Sequence, residues 1–368
     1  MTLTAPLTAP RTTPTAALRA QMMKLAERIS TPLLPADYLD VIDPLRSGAA
    51  LRGRIVAINP ETRDAVTLVI RPGRGWRGHL PGQYIRIGVD VDGVRQWRAY
   101  SLTSPTGRPD GCITITVKAI PDGVVSNYLV RRARVGTVIQ LDQAAGEFTL
   151  DRPAPAKVLF VTAGSGITPV MGMLRNLPAN SATDVVIVHS APTAADVIFG
   201  GELRRLAAQG RIRLAEIHTN TDGMLDVASL QDLVADLPER HTWACGPIGL
   251  LDALESRWAA AGLAERLRTE RFRPTVITTG EGGTVTFTTA GTAAENDGTE
   301  SLLDTGEAAG VLMPSGCRMG ICFGCVAPLR RGAVRDLRTG ALTTAAEGDG
   351  VVIQTCISAA AGPCDIDL

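Results

Sequence analysis

Four cysteines near the C-terminus have a spacing that suits a metal cluster. Cys317, Cys322, Cys325 and Cys356 form the pattern C-x4-C-x2-C, followed by a long gap and a fourth cysteine. This is the plant-type spacing of [2Fe–2S] ligands, in which thiolates hold the irons. A zinc site is the alternative, but structural zinc sites usually carry paired C-x2-C knuckles, and these residues contain one such pair. The spacing therefore predicts an iron–sulfur centre, which moves one electron at a time.

Two short motifs in the first half of the chain suit an aromatic cofactor that carries phosphate. Arg98, Tyr100 and Ser101 lie in RAYS, and Gly123 and Ser126 bound GVVS. An arginine can grip a pyrophosphate with its planar guanidinium, a tyrosine ring can cover an aromatic face, and a helix N-terminus can face phosphate. Either motif alone is more often a plain strand or a helix cap, so the prediction depends on their occurring together.

A second phosphate motif follows an apolar strand in the middle of the chain. KVLFVTA runs into GSGITP at residues 164–169, where Gly164, Gly166 and Thr168 precede an apolar helical stretch. A glycine-rich turn between a strand and a helix favours the binding of a pyrophosphate. The motif is not the G-x-G-x-x-G of the dehydrogenases, because proline stands at position 169. An ordinary tight turn remains the alternative for this motif taken alone.

The elements around these motifs alternate in different ways along the chain, which predicts three domains. Short β-like runs, punctuated by Gly, Pro and Asp, occupy residues 48–152 and predict an antiparallel β-barrel. Strands alternate with helices over residues 153–274, which predicts a parallel sheet with helices on both faces. A linker at 275–282 leads into a last domain, 283–368, which carries the four cysteines.

Composition and the N-terminus exclude several classes of protein. Lys plus Arg and Asp plus Glu both number 37, so a nucleic-acid partner is not expected. No apolar run is long enough to span a bilayer, and no secretory signal is recognisable. An N-terminal extension, residues 1–47, carries an amphipathic helix expected at 17–29. The seven cysteines do not resemble a disulfide framework, and a cytoplasmic location is expected.

The order of these motifs resembles the ferredoxin–NADP reductase superfamily over residues 51–368. The resemblance implies a multidomain chain with an FAD-binding β-barrel, an α/β NAD(P)-binding domain and a β-grasp plant-type ferredoxin domain. It places Arg98 at the FAD pyrophosphate, Tyr100 at the ribityl chain and ring face, and Ser101 near flavin N5. The further FAD contacts that it implies come from Val117, Lys118, Gly123, Val125 and Ser126.

The same resemblance implies the position of the hydride-transfer site. A Cys-Gly-Pro turn, formed by Cys245, Gly246 and Pro247, follows the strand HTW. In this superfamily such a turn places the cysteine beside nicotinamide C4, although a small buried residue at a strand end is the alternative. The resemblance implies that NAD(P)H passes a hydride to FAD and that electrons then leave singly through the cluster. Ser101 and Cys245 are the expected catalytic residues.

The coenzyme preference is read from the stretch HSAPTAADVIF and the helix after it. An NADH enzyme often has an acidic residue at this strand end to hold the ribose hydroxyl, but Ser190 occupies the region. Arg204 and Arg205 follow. Both fit an exposed helix face as well as a phosphate contact, and they favour NADPH.

The domain order resembles that of single-chain reductases of oxygenases and desaturases. The stretch STPLLPADYLDVIDPLRSGAALRGRIV, with RAYSLTS, resembles actinobacterial reductases that serve a membrane acyl-CoA desaturase. The implied acceptor is an iron-containing desaturase or oxygenase, with peripheral association at the inner face of the membrane where that partner is membrane-bound. Reduction of an alkane, steroid or aromatic-ring oxygenase or of a cytochrome P450 is the alternative. A redox sensor without turnover is the alternative of a different class, and the intact GSGITP and CGP motifs argue against it.

Overall fold

The computed structural model describes residues 43–46, 50–121, 123–272, 278–316, 318–320 and 323–368. The described residues form three β-sheets, and each sheet packs its own apolar core. The helix predicted at 17–29 and the predicted ligands Cys317 and Cys322 lie outside the described residues.

The first sheet is antiparallel and closes on itself. Its strands are β1 (Arg52–Thr62), β2 (Ala65–Pro72), β3 (Tyr84–Val91), β4 (Val94–Ser101), β5 (Ile113–Lys118) and β6 (Val138–Leu141). They pair in the order β4-β3-β6-β1-β2-β5, and a bridge from Leu102 to Ile115 links the two outer strands. Buried Ile, Leu and Val side chains from these strands form the barrel core, as expected where alternate side chains point inward. A short helix, α1 (Val124–Asn127), follows β5.

The second sheet is parallel and carries helices on both faces. Its strands are β7 (Lys157–Ala163), β8 (Asp184–Ala191), β9 (Arg213–His218), β10 (His241–Cys245) and β11 (Leu267–Glu270), in the order β11-β10-β7-β8-β9. The helices are α2 (Ile167–Leu174), α3 (Gly200–Ala208), α4 (Thr219–Asp222), α5 (Leu230–Leu233) and α6 (Ile248–Ala260). Helices α2 and α3 pack on one face, and α5 and α6 pack on the other. The carboxyl ends of all five strands meet at one edge, where open α/β sheets bind ligands.

The third sheet is mixed and packs against one helix. Its strands are β12 (Gly283–Phe287), β13 (Thr292–Asn296), β14 (Val326–Asp336), β15 (Leu342–Ala345), β16 (Val352–Gln354) and β17 (Ser358–Ile366). β12 and β17 are parallel neighbours, and the other pairs are antiparallel. The helix α7 (Leu302–Ala308) begins at Ser301, whose hydroxyl accepts from the Asp304 amide at 3.2 Å. Its leucines pack with Val285 and Phe287 of β12.

The predicted fold class is confirmed. Helix α5 is short, because it ends at Leu233 and Val234 turns out of the helix with φ −137°. Strand β11, which ends at Glu270, forms one edge of the parallel sheet. Among the described residues, no helix combines the length and the apolar character that crossing a membrane requires.

Candidate active site and cluster site

Ser101 ends β4 with a hydroxyl that lacks a partner in the described part of the chain. The residue is 4% exposed, and its Oγ makes no hydrogen bond with any described residue. An unpaired buried polar group costs about 1–3 kcal/mol. This atom therefore fits a site that a bound cofactor completes, and a flavin nitrogen is the partner that the resemblance implies.

Arg98 is a half-buried cation without a carboxylate partner among the described residues. Its guanidinium donates to the Trp97 carbonyl at 2.8 Å and to Gln96 Oε1 at 3.5 Å. Burial and the positive charge of Arg318 lower the pKa of Arg98 to about 10, and Glu307 partly offsets this effect. Arg318 belongs to the third domain, so cations of two domains lie close enough to repel each other. Arg318 is itself paired with Asp304 and Glu307, so Arg98 is the cation of the two that fits a bound anion such as a pyrophosphate.

The loop between β5 and α1 is held by hydrogen bonds between the Ser126 side chain and the loop backbone. Ser126 Oγ accepts from the Ile120 amide at 3.3 Å and donates to the Gly123 carbonyl at 3.2 Å. Val125 is buried in the barrel core. The Ser126 hydroxyl is therefore engaged within the loop, so a phosphate contact in this segment falls to backbone amides.

Three other predicted FAD contacts lie on β4 and β5. The side chain of Lys118 is held by Asp64, with Nζ 2.8 Å from the carboxylate, and Val117 is fully buried. Each residue therefore has only its backbone groups available to contact a cofactor, and a contact of this kind agrees with the resemblance. Tyr100 is half-buried, and burial raises its pKa, so its phenol stays neutral.

The GSGITP motif forms the predicted turn between β7 and α2. Gly164 has φ +54°, a conformation that glycine adopts without strain. Gly164–Gly166 is a single 3₁₀ turn, and the buried Thr168 hydroxyl donates to the Ser165 carbonyl at 2.9 Å. The turn therefore presents backbone amides at the start of α2 on the carboxyl edge of the sheet, the position where a pyrophosphate binds in such folds.

Cys245 ends β10, and Glu270 lies directly beside it at the end of β11. The thiol is fully buried, and burial together with Glu270 raises the pKa of Cys245 well above its ordinary value. Burial also raises the pKa of Glu270 to about 8, and its Oε2 has no partner among the described residues. An uncharged thiol and a protonated carboxyl therefore stand side by side at neutral pH. Gly246 is half-buried and Pro247 is exposed at the start of α6.

Glu270 is the residue of this site that sequence patterns did not predict. Its strand, LRTE, is short and carries two charges, so it lacks the apolar run of the other strands. Its place at the carboxyl edge of the parallel sheet, where ligands bind, follows only from the pairing of β11 with β10.

Cys325 and Cys356 converge from distant segments of the third domain. Their Sγ atoms are 3.2 Å apart, and both residues are buried. A disulfide bond measures about 2.05 Å, so the sulfurs are close without being bonded. The pairing of β14 with β16 brings the two segments together, and Thr355 ties them by donating its amide and hydroxyl to the Cys325 carbonyl at 3.1 and 3.0 Å. Two buried thiols placed in this way fit one side of the predicted [2Fe–2S] ligand set.

Three domain families match successive parts of the chain. The oxidoreductase FAD-binding domain matches residues 56–150, the oxidoreductase NAD-binding domain matches 160–256, and the 2Fe-2S iron-sulfur cluster binding domain matches 287–361. The three matches coincide with the antiparallel barrel, the parallel sheet and the mixed sheet, in that order. They confirm FAD, NAD(P)H and a [2Fe–2S] cluster as the cofactors.

Known proteins are similar to this chain over most of its length. An NADPH oxidoreductase of Mycobacterium tuberculosis is 49% identical over 353 residues, which cover 94% of this chain and 92% of that protein. The ferredoxin reductase component of 3-ketosteroid-9-alpha-monooxygenase, also of Mycobacterium tuberculosis, is 32% identical over 76% of this chain and 85% of its own. The solved structure of phthalate dioxygenase reductase covers 87% of this chain and 98% of its own with a TM-score of 0.61, and at 23% identity it supports the fold.

Ser101 lies within the matched FAD-binding domain, Cys245 within the matched NAD-binding domain, and Cys325 and Cys356 within the matched cluster domain. The chain is an NAD(P)H oxidoreductase, and it belongs to the ferredoxin–NADP reductase-type flavin/[2Fe–2S] oxidoreductases.

Proposed function

We propose that this protein is the NADPH-dependent reductase of an oxygen-activating iron enzyme, to which it delivers electrons one at a time. When bound, FAD accepts a hydride and releases electrons singly to the cluster. The observation that supports the proposal is the position of α2 between the segments that carry the two proposed catalytic residues, Ser101 and Cys245. The start of α2 lies against the carbonyl of Cys245, and its last turn lies against the carbonyl of Leu102, the residue after Ser101.

The chain's own residues bind and orient the two reacting rings. Arg98 holds the FAD pyrophosphate, Ser101 donates a hydrogen bond at the flavin ring, and the turn at Gly164–Gly166 holds the coenzyme phosphates. Cys245 and Glu270 border the nicotinamide with two uncharged groups. Hydride transfer needs no proton from the protein, so these side chains act by position and by excluding water.

The preference for NADPH is supported by the relative at 49% identity, which is named for NADPH. Arg204 on α3, one of the two arginines that favour NADPH in the sequence, does not add to this support, because its guanidinium is already paired with Glu216 at 2.7 Å and donates to the Ala194 carbonyl at 3.0 Å.

The acceptor is inferred from relatives and from the N-terminal stretch. A relative that is the reductase component of a steroid monooxygenase supports an oxygenase as partner. The resemblance of the N-terminal stretch to reductases of acyl-CoA desaturases favours a membrane desaturase, with the reductase held at the inner membrane face through that partner. The arginines of the third domain do not single out an acidic partner, because Arg330 and Arg331 are already paired with Asp367 and Asp365, each at 2.9 Å.

Anaerobic reduction of the FAD-loaded protein tests the proposal. NADPH should bleach the flavin absorbance faster than NADH at equal concentration, and the cluster signal should follow. If neither coenzyme bleaches the flavin, the protein is not a reductase. If NADH is faster, the assigned coenzyme is wrong while the electron path stands.

A cluster variant tests the order of the path. Cys322→Ser should abolish cluster absorbance and cytochrome c reduction but leave NADPH-driven ferricyanide reduction by the flavin. Cys112→Ser is the matched control, because Cys112 is a buried cysteine of the FAD-binding domain outside the ligand pattern. Equal loss of both activities in Cys322→Ser would contradict the order in which the flavin precedes the cluster.

A further inference from the structure

Two glycines of the α2 region lie in backbone contacts too close for any other residue. A Cβ atom on Gly166 would lie 2.0 Å from the carbonyl oxygen of Cys245, and one on Gly172 would lie 2.2 Å from the carbonyl oxygen of Leu102. Neither glycine has a positive φ, so the backbone conformation at these positions does not require glycine. The close approach requires glycine, since a methyl group cannot occupy the space between the two backbone segments.

The two contacts connect α2 to different domains. Cys245 ends a strand of the NAD-binding domain, and Leu102 follows the strand of the FAD-binding domain that ends at Ser101. Gly166 lies in the turn directly before α2, and Gly172 lies in the last turn of α2. The helix therefore spans the distance between the two carbonyls.

The C-terminal end of the helix is fastened to the same FAD-domain segment. Arg175 Nη1 donates to the Thr103 carbonyl at 2.8 Å. Asn176 accepts from the Thr106 amide at 2.8 Å and donates to the Ser104 carbonyl at 3.3 Å, and it also closes α2 by donating to the Gly172 carbonyl at 2.7 Å. The segment after Ser101 thus contacts the end of α2 through three consecutive backbone carbonyls, those of Leu102, Thr103 and Ser104.

We propose that α2 is the spacer that sets the separation between the flavin and the nicotinamide, and that Gly172 is a positioning residue for hydride transfer. The inference rests on the proposed roles of Ser101 and Cys245 on either side of the reacting rings. A helix is stiff along its axis, so a group added at Gly172 pushes the segment after Ser101 away from α2, while the phosphate turn before the helix keeps its place. Glycine inside a helix costs about 1 kcal/mol relative to alanine, and the close contact with Leu102 is the structural reason for its presence.

Gly172→Ala is the direct test. An ordinary carbon–oxygen contact is 3.4 Å or longer, so the new methyl group must move the Leu102 carbonyl or the helix by roughly 1 Å. A misplacement of about 1 Å between reacting groups can lower a rate about 100-fold. We expect the limiting rate of flavin reduction by NADPH, measured by stopped flow on the FAD-loaded protein, to fall by about that factor.

Three further readouts separate positioning from a loss of structure. The apparent Kd for NADPH from the same stopped-flow data should stay unchanged, because Gly172 lies at the far end of α2 from the phosphate turn. The kinetic isotope effect with 4-deuterated NADPH should increase, since hydride transfer becomes more rate-limiting. Reduction of cytochrome c after the flavin is reduced by dithionite should keep its wild-type rate, because that route bypasses hydride transfer.

Gly201→Ala is the matched control, since Gly201 lies in α3 and an added Cβ meets no atom within 4 Å. It should reduce its flavin at the wild-type rate. Where Gly172→Ala does not fold, Asn176→Ala takes its place, because it removes the bonds to Ser104 and Thr106 and leaves the helix backbone intact. It should lower the same limiting rate by a smaller factor, again without changing the Kd for NADPH.

Parallel variants distinguish this inference from the proposed site. If Ser101→Ala and Cys245→Ala slow flavin reduction while Gly172→Ala and Asn176→Ala stay within about threefold of wild type, α2 does not set the separation. If Ser101→Ala and Cys245→Ala have no effect either, the assigned site is wrong, and the inference falls with it. A weaker Kd for NADPH at an unchanged limiting rate would also overturn the inference.

Discussion

Ser101→Ala should have opposite effects on the apoprotein and on the FAD-loaded protein. The Ser101 hydroxyl is buried and has no partner among the described residues. In the apoprotein its removal should relieve part of the penalty of about 1–3 kcal/mol that such a group carries. In the loaded protein the same change removes a hydrogen bond worth about 0.5–1.5 kcal/mol. The substitution should therefore raise the melting temperature without FAD and lower it with FAD.

The affinity for FAD links the two effects. Stabilisation of the apoprotein and destabilisation of the complex both weaken binding, and together they amount to about 2 kcal/mol, or roughly 30-fold in Kd. Titration of the apoprotein with FAD, followed by flavin fluorescence, measures this change. At saturating FAD the rate of flavin reduction by NADPH should fall about tenfold, for a lost interaction of about 1.4 kcal/mol in the transition state.

Ser104→Ala provides the control in the same segment. Ser104 is fully buried, but its Oγ accepts from the Thr114 amide at 3.2 Å. Its removal leaves that amide unpaired and should destabilise apoprotein and complex equally, by about 1–3 kcal/mol, without changing the Kd for FAD. The reasoning is refuted if Ser101→Ala destabilises both forms to the same extent, because its hydroxyl would then have a partner in the protein itself.

Three further predictions concern charge. Because the folded-state pKa of Glu270, about 8, exceeds its ordinary 4.5, the folded chain keeps a proton that the unfolded chain releases, and stability falls as pH rises through this window. Glu270→Gln should remove this pH dependence, which amounts to at most about 1.4 kcal/mol in the free energy of unfolding per pH unit. The prediction is contradicted if the free energies of unfolding of the two proteins change equally with pH. Arg98→Gln should weaken FAD binding about 10- to 100-fold by equilibrium titration, since a charge-assisted hydrogen bond is worth about 1.5–3 kcal/mol, while apoprotein stability changes little. Arg338→Gln should lower the cluster's reduction potential in a redox titration, because this cation lies beside the segment of the predicted cysteine ligands, with Nη1 3.4 Å from the Gly320 carbonyl. Substitution of the exposed Arg331 by Gln should leave the potential unchanged.

The domain architecture was predictable because each domain has its own local pattern. Alternating apolar residues, strand–helix alternation and a cysteine spacing are properties of short windows, and each sheet formed as its window indicated. The turn between β7 and α2 was predictable for the same reason, since Gly164–Gly166 form it with their own backbone. The role of Ser126 was less accessible, because only the structure shows that its hydroxyl is engaged by Ile120 and Gly123.

What the sequence could not indicate lies in contacts between segments. Glu270 becomes notable only when β11 is placed beside β10, because burial against that neighbour raises its pKa to about 8. Gly172 looks like an unfavourable residue inside a helix until the Leu102 carbonyl of another domain is found 2.2 Å from its missing Cβ. Both residues depart from what their own element prefers, and in both the reason is a partner about 25 or more positions away in the chain. Such departures from local preference therefore mark contacts that the motifs do not, within the parallel sheet for Glu270 and between the FAD- and NAD-binding domains for Gly172.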